Sequence, residues 1–152
     1  MSKIVIADST CLIGLSKIGK LDILRQLFGN IIIPSAVYHE IVVRGTGRLG
    51  AEEVENASWI ETREVKNKLA VTAFKLFMLG AGEAEAIALA SEDKVDFIIL
   101  DDWKARQVAL ELSLPVIGTV AVLTKAMEKG YIEELPLILE ELRKAGFRFP
   151  VI

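Results

Sequence analysis

The sequence holds one cysteine, Cys11, and one histidine, His39. A single thiol excludes an internal disulfide framework, and one Cys with one His excludes a zinc site built from Cys/His ligands. No run approaches the roughly 18 apolar residues that a membrane-spanning helix needs. The start of the chain also lacks the charged, long apolar and small-residue segments of a secretory signal. A soluble, cytoplasmic protein with no membrane partner is therefore expected. Positive charge is scarce as well: 18 Lys and Arg stand against 21 Asp and Glu, a net charge of −3. That balance weighs against binding nucleic acid through bulk positive charge, so local basic patches or bound cations would have to supply the attraction. Internal repeats, low-complexity tracts and Pro/Ser-rich linkers are absent too, which leaves residues 1–152 as one domain.

What the chain does have is apolar side chains. They make up 52% of it, and the mean hydropathy of +0.42 marks a core-rich globular protein. Four short β-branched runs, "KIVIA" (3–7), "NIIIP" (30–34), "VDFIILDD" (95–102) and "LPVIG" (114–118), read as strands buried on both faces. "WIETREV" (59–65) is suited to a short edge strand. Helical patterns lie between them. Residues 11–28 carry apolar positions at 12, 15, 18, 21, 24 and 27, with a break near Gly19. The segment 35–43 follows Pro34, which suits a helix start. Helices are also expected over 67–79, 82–93, 102–112, 119–130 and 132–146, the last ending on a glycine cap. Strands that alternate with helices predict an α/β/α sandwich with a mainly parallel sheet, whose ligands bind outside the carboxyl ends of the strands.

Four acidic features fall at or near such places: Asp8 after the first strand, Glu40 after the second, Glu83 with Glu85 at a helix start, and the pair Asp101–Asp102 after "FIIL". Carboxylates gathered at one point raise one another's pKa unless a cation holds them. Mg²⁺ or Mn²⁺ is the natural occupant, and with open coordination positions such an ion equips a site for phosphodiester hydrolysis. Each residue also has an ordinary role. Asp8, Ser9 or Thr10 would cap the helix that follows, Glu40 would be a solvated helix residue, and Glu83 would favour its helix N-terminus. Glu85 points to a different face from Glu83. One of Asp101 and Asp102 would cap the next helix while the other serves as a ligand. His39 reads as a structural or surface residue and Cys11 as a small hydrophobe.

The ordered segments "VIADSTCLI", "IIPSAVYHEI", "GEAEAIALA" and "IILDDWKAR…LPVIGT" resemble the PIN-domain family. They are most similar to small prokaryotic PIN-like proteins related to VapC-type ribonuclease toxins, over about residues 3–130. The resemblance implies an α/β/α fold and a Mg²⁺- or Mn²⁺-dependent endoribonuclease acting on RNA. It implies a site at Asp8, Glu40, Glu83 and Asp101 or its neighbour Asp102, with Ser9 bonding within the site. Thr119, at another strand end, would orient a ligand or water. An antitoxin protein as partner and a homodimer also follow from the likeness. Glu83 stands where many PIN toxins carry Asp, so the metal geometry need not be the same.

Among the basic residues, Arg44 and Arg48 lie in the glycine-rich "VVRGTGRLG" (42–50), read either as a phosphate-binding flap or as an exposed turn. Lys104 and Arg106 follow the Asp pair on a helix, where both would meet a backbone phosphate or Arg106 would equally pair with the nearby acids. Two other functions compete with the nuclease. One is a catalytically weak module that binds RNA or a protein. The other is phosphoryl transfer on a small molecule, for which "DST" lacks a second Asp two residues after Asp8.

Overall fold

The structure is a computed structural model that describes residues 3–149. Its sheet contains β1 (Val5–Ala7), β2 (Ile31–Pro34), β3 (Ile60–Arg63), β4 (Phe97–Ile99) and β5 (Val116–Ile117). Every pairing is parallel and the strand order is β3-β2-β1-β4-β5. The expected α/β/α sandwich is what forms, and "WIETREV" supplies its edge strand.

The strands are short apolar runs because side chains alternate between two cores. Val5, Ala7, Ile31, Ile33 and Ile99 enter one core. Ile6, Ile32, Ile98 and Leu100 enter the other. The first core is closed by α1 (Ser9–Lys17), α2 (Asp22–Phe28), α8 (Thr119–Glu128) and α9 (Leu135–Lys144). The second is closed by α5 (Lys68–Lys75), α6 (Ala81–Glu92) and α7 (Trp103–Glu111). Within α6, Ala84, Ala86, Ile87, Ala88, Leu89 and Ala90 are all buried. A helix apolar all round is one packed on every side, and α6 touches β1, β2, β4, α3 (Ser35–Tyr38), α5 and α7.

The expected break in residues 11–28 separates α1 from α2, with Gly19 in a left-handed turn at φ 70°. Two elements depart from the sequence reading. The helix over 35–43 is α-helical only as far as Tyr38 and continues as a π turn, His39–Val43, in which the Arg44 N–H donates to the His39 carbonyl five residues back. A further short helix, α4 (Ala51–Asn56), follows the glycine-rich segment where no helix was expected. Among the described residues, no helix is long and apolar enough to cross a membrane.

Candidate active site

The chain leaves β1 for β2 on one side of the sheet and later returns to place β4 on the other side of β1. Between β1 and β4 the strand order reverses, and a crevice opens there at the carboxyl ends. Asp8 is the first residue beyond β1, and its backbone N–H donates to the Ile99 carbonyl of β4 at 3.2 Å. Asp8 occupies the N-cap position of α1, yet its side chain makes no capping hydrogen bond. It is 4% exposed. An ordinary cap is therefore an insufficient account of it.

The other acids arrive from different elements. Glu40 comes from the π turn and Glu83 from the third position of α6. Gly82 shows how close the first two carboxylates stand. A Cβ added there would meet Asp8 Oδ1 at 3.0 Å, Val37 Cγ2 at 3.1 Å and Glu40 Oε1 at 3.7 Å. A side chain at this point of the N-terminal turn of α6 would press on Asp8 and Val37, which would have to give by a few tenths of an ångström. Glu83 combines its two readings: its Oε1 accepts from the Gly80 N–H at 3.1 Å, closing the start of its own helix, and its charge is felt by Asp8. Glu85 does point elsewhere, and accepts from the Ala36 N–H at 3.0 Å to secure the start of α3.

The adjacent acids after β4 have different partners. Asp102 caps α7, its Oδ2 accepting from the Ala105 N–H at 3.0 Å. Asp101 turns to Thr119, the fully buried first residue of α8. The Thr119 N–H donates to Asp101 Oδ1 at 2.9 Å and its hydroxyl to Oδ2 at 2.6 Å. Thr119 thus orients a carboxylate. Ser9 is buried beside Asp8, and it is the Ser9 backbone N–H that bonds the Asp8 carboxylate.

Electrostatics ties the set together. Burial above all pushes the Asp8 carboxyl from 3.8 up to about 7, with Glu83, Glu40 and Asp101 adding to the rise and the Ser9 N–H opposing it. Glu83 is raised too, first by burial and then by Asp102 and Glu40, against the Gly80 N–H. Cys11 lies below the site, 1% exposed. Burial and the charge of Asp101 push its thiol up to about 12, so it stays protonated and is not a nucleophile.

A family model described as a PIN domain matches residues 4–151. The chain belongs to the PIN-domain family. PIN domains are generally nucleases and typically use divalent metals, and this chain carries their fold. No curated protein matches it.

A hard divalent ion fits the donors of this PIN domain in one particular way. Among the described residues, no three His, Cys, Asp or Glu side chains close on a single point, so a rigid all-protein cage is absent. Mg²⁺ and Mn²⁺ do not require one, because Mg²⁺ keeps several waters and is held directly by only one or two carboxylates. Asp8 and Glu40 directed at the same small space beside Gly82 suit that binding mode.

The basic residues are placed unevenly. Arg106 is half-buried, and its Nη1 donates to the Leu100 carbonyl at 3.2 Å. A Cβ at Gly118 would meet that nitrogen at 2.6 Å and Asp101 Oδ1 at 3.0 Å. Arg44, Arg48 and Lys104 are exposed, and neither Arg44 nor Arg48 lines the cavities beside the acids. His39 is on the surface. Two features escaped the sequence reading. One is a cavity of about 340 Å³ where Lys17 and Arg148 stand with Ser9, Thr10 and Glu40. The other is the exposed Trp103 beside a cavity of about 810 Å³ that reaches Asp101. Lys17 of α1 meets the chain after α9, its Nζ donating to the Ala145 carbonyl at 3.4 Å. Only the folded chain brings such distant segments together.

Proposed function

We propose that this PIN domain is a Mg²⁺- or Mn²⁺-dependent endoribonuclease. The observation that carries the proposal is Asp8, a carboxylate almost wholly buried at the strand-order reversal among three further acids. As a mere structural feature this arrangement is unfavourable, and a bound cation is what makes it favourable at neutral pH. Asp8 and Glu40 would hold the ion directly, Glu83 and Asp101 would act on it through its waters, Thr119 fixes Asp101, and Asp102 fixes the start of α7. When bound, such an ion lowers the pKa of an attacking water and stabilises charge on the phosphate. Arg106 is the basic residue best placed for a phosphate next to the acids, with Lys104, Arg44 and Arg48 further out on the surface.

The setting we propose is the cytoplasm, where Cys11 stays reduced, with an antitoxin protein as the partner of a toxin nuclease. We also propose a homodimer, joined through the exposed apolar residues Leu69, Leu76, Phe77 and Met78 on and just after α5. A second reading, a catalytically weak RNA- or protein-binding module, draws support from the lack of three converged metal donors among the described residues.

Incubating the purified protein and its Asp8→Asn variant with a labelled RNA pool in Mn²⁺, Mg²⁺ or EDTA separates the two readings. Metal-dependent cleavage that falls to background in the folded variant is expected. Equal cleavage by both proteins, or none by either with any ion, would overturn the nuclease proposal.

A further inference from the structure

The larger cavity lies between the first turn of α7, the start of α8 and one face of α9. Its walls are mostly apolar, formed by Val120, Ala121, Leu135, Pro136, Leu139 and Phe149. Trp103 stands at its edge with 65% of its surface exposed, an unusual position for the largest apolar side chain of a small protein. At about 810 Å³ the cavity falls within the size range of small-molecule sites. It also reaches one member of the acid cluster, since Asp101 lines it together with Arg106. Among the described residues Arg106 forms no ion pair, whereas Arg143 on the far wall is paired with Glu140.

We propose that this cavity is a nucleobase subsite and that Trp103 is its stacking platform. The inference rests on the nuclease reading and specifies what the substrate presents beside the bond that is cut. A phosphate held at the acids has its neighbouring base within reach of a space that begins at Asp101. Apolar walls suit the face of a base and not a phosphate, and an exposed indole offers a surface on which any base stacks. Arg106, at the boundary between acids and apolar wall, meets the phosphate that joins the two parts. A purely apolar peptide would bring no anion to that guanidinium, which lies near Asp101 without forming an ion pair with it. Trp103 follows the Asp101–Asp102 pair directly, so the loop that aims Asp101 at Thr119 also fixes the platform.

Binding to Trp103 can be read from its own fluorescence, because the only other tryptophan is Trp59. The full chain carrying Asp8→Asn and Trp59→Phe would be titrated, with Mn²⁺ present, with a short single-stranded RNA and with an abasic oligonucleotide of the same length. Quenching by the RNA and little by the abasic strand is expected. Trp103→Ala should weaken RNA binding about tenfold or more, the effect of losing one base–aromatic stack. Trp103→Phe, which keeps a ring, should restore most of the affinity. Equal RNA affinity with and without the indole, or equal quenching by the abasic strand, would overturn the subsite. So would emission that responds to an apolar helical peptide and not to RNA. Hydrolysis of bis(4-nitrophenyl) phosphate by the unmodified chain, which involves no base, tells the two failures apart. If that hydrolysis is metal-dependent and requires Asp8, only the subsite falls; if it is absent, the nuclease reading falls with it.

Discussion

Thr119 gives both of its donors to a single carboxylate, and this is what separates Asp101 from Asp102. In the sequence the two acids are adjacent and equivalent, so nothing there says which of them caps α7. The residue that tells them apart is 18 positions away, on another strand end. Thr119→Val keeps the volume and the backbone N–H but removes the hydroxyl, leaving Asp101 Oδ2 without its 2.6 Å partner. Cleavage and Mn²⁺ affinity should both drop about 10- to 100-fold, the usual effect of losing a group that orients a metal ligand. Thr119→Ser should recover most of the loss. Unchanged Mn²⁺ binding by calorimetry in the Val variant would reduce Thr119 to a helix-start residue. Asp8 is the opposite case: its place after β1 was legible, because an acid directly after a buried apolar run has few other places to go.

At the level of elements, continuous β-branched runs located the strands and period-3.6 patterns the longer helices, since burial on two faces or one leaves a direct trace in the sequence. The π turn left no such trace. It differs from α-helix by one residue in the hydrogen-bonding step, and nine residues of apolar pattern do not separate the two. Yet this turn carries Glu40 to its place. α4 was missed because it buries only Ala51 and Val54 over six residues. The end of α5 raises a different matter: Leu69, Leu76, Phe77 and Met78 are 60–83% exposed, an apolar surface that none of the described residues covers. Leu76→Glu should convert a dimer to a monomer in sedimentation experiments at micromolar concentration. Its effect on monomer stability should stay within about 0.5 kcal/mol, as for other exposed positions. A parent protein that sediments as a monomer would refute the homodimer.

For the whole molecule, the acid cluster ties stability to pH with a definite sign. The Asp8 carboxyl titrates near 7 when folded and near 3.8 when unfolded, so the native state binds the proton more tightly. The stabilisation is complete below the unfolded value and is lost as pH rises through about 7. Glu83 acts in the same direction. The ion-paired Asp22 and Glu140 are shifted down and act only in the acid range. In EDTA the melting temperature should therefore fall between pH 5 and pH 8, and Mn²⁺ should raise it again at pH 8. Asp8→Asn should flatten the fall and melt at least about 3 °C above the parent at pH 8 in EDTA, roughly the effect of one kcal/mol in a chain of this size. A melting temperature that stays level or rises over this range would contradict the electrostatics of the site. The pairing of β1 with β4 has a consequence in time as well as in space. Asp8 emerges early in synthesis, but Asp101 and the strand before it must follow before the two can meet. At roughly 5–20 residues per second that interval is about 5–20 s. A nascent chain that already carries Asp8, Glu40 and Glu83 still lacks Asp101, so the acid cluster is complete only once more than half of the chain has been made.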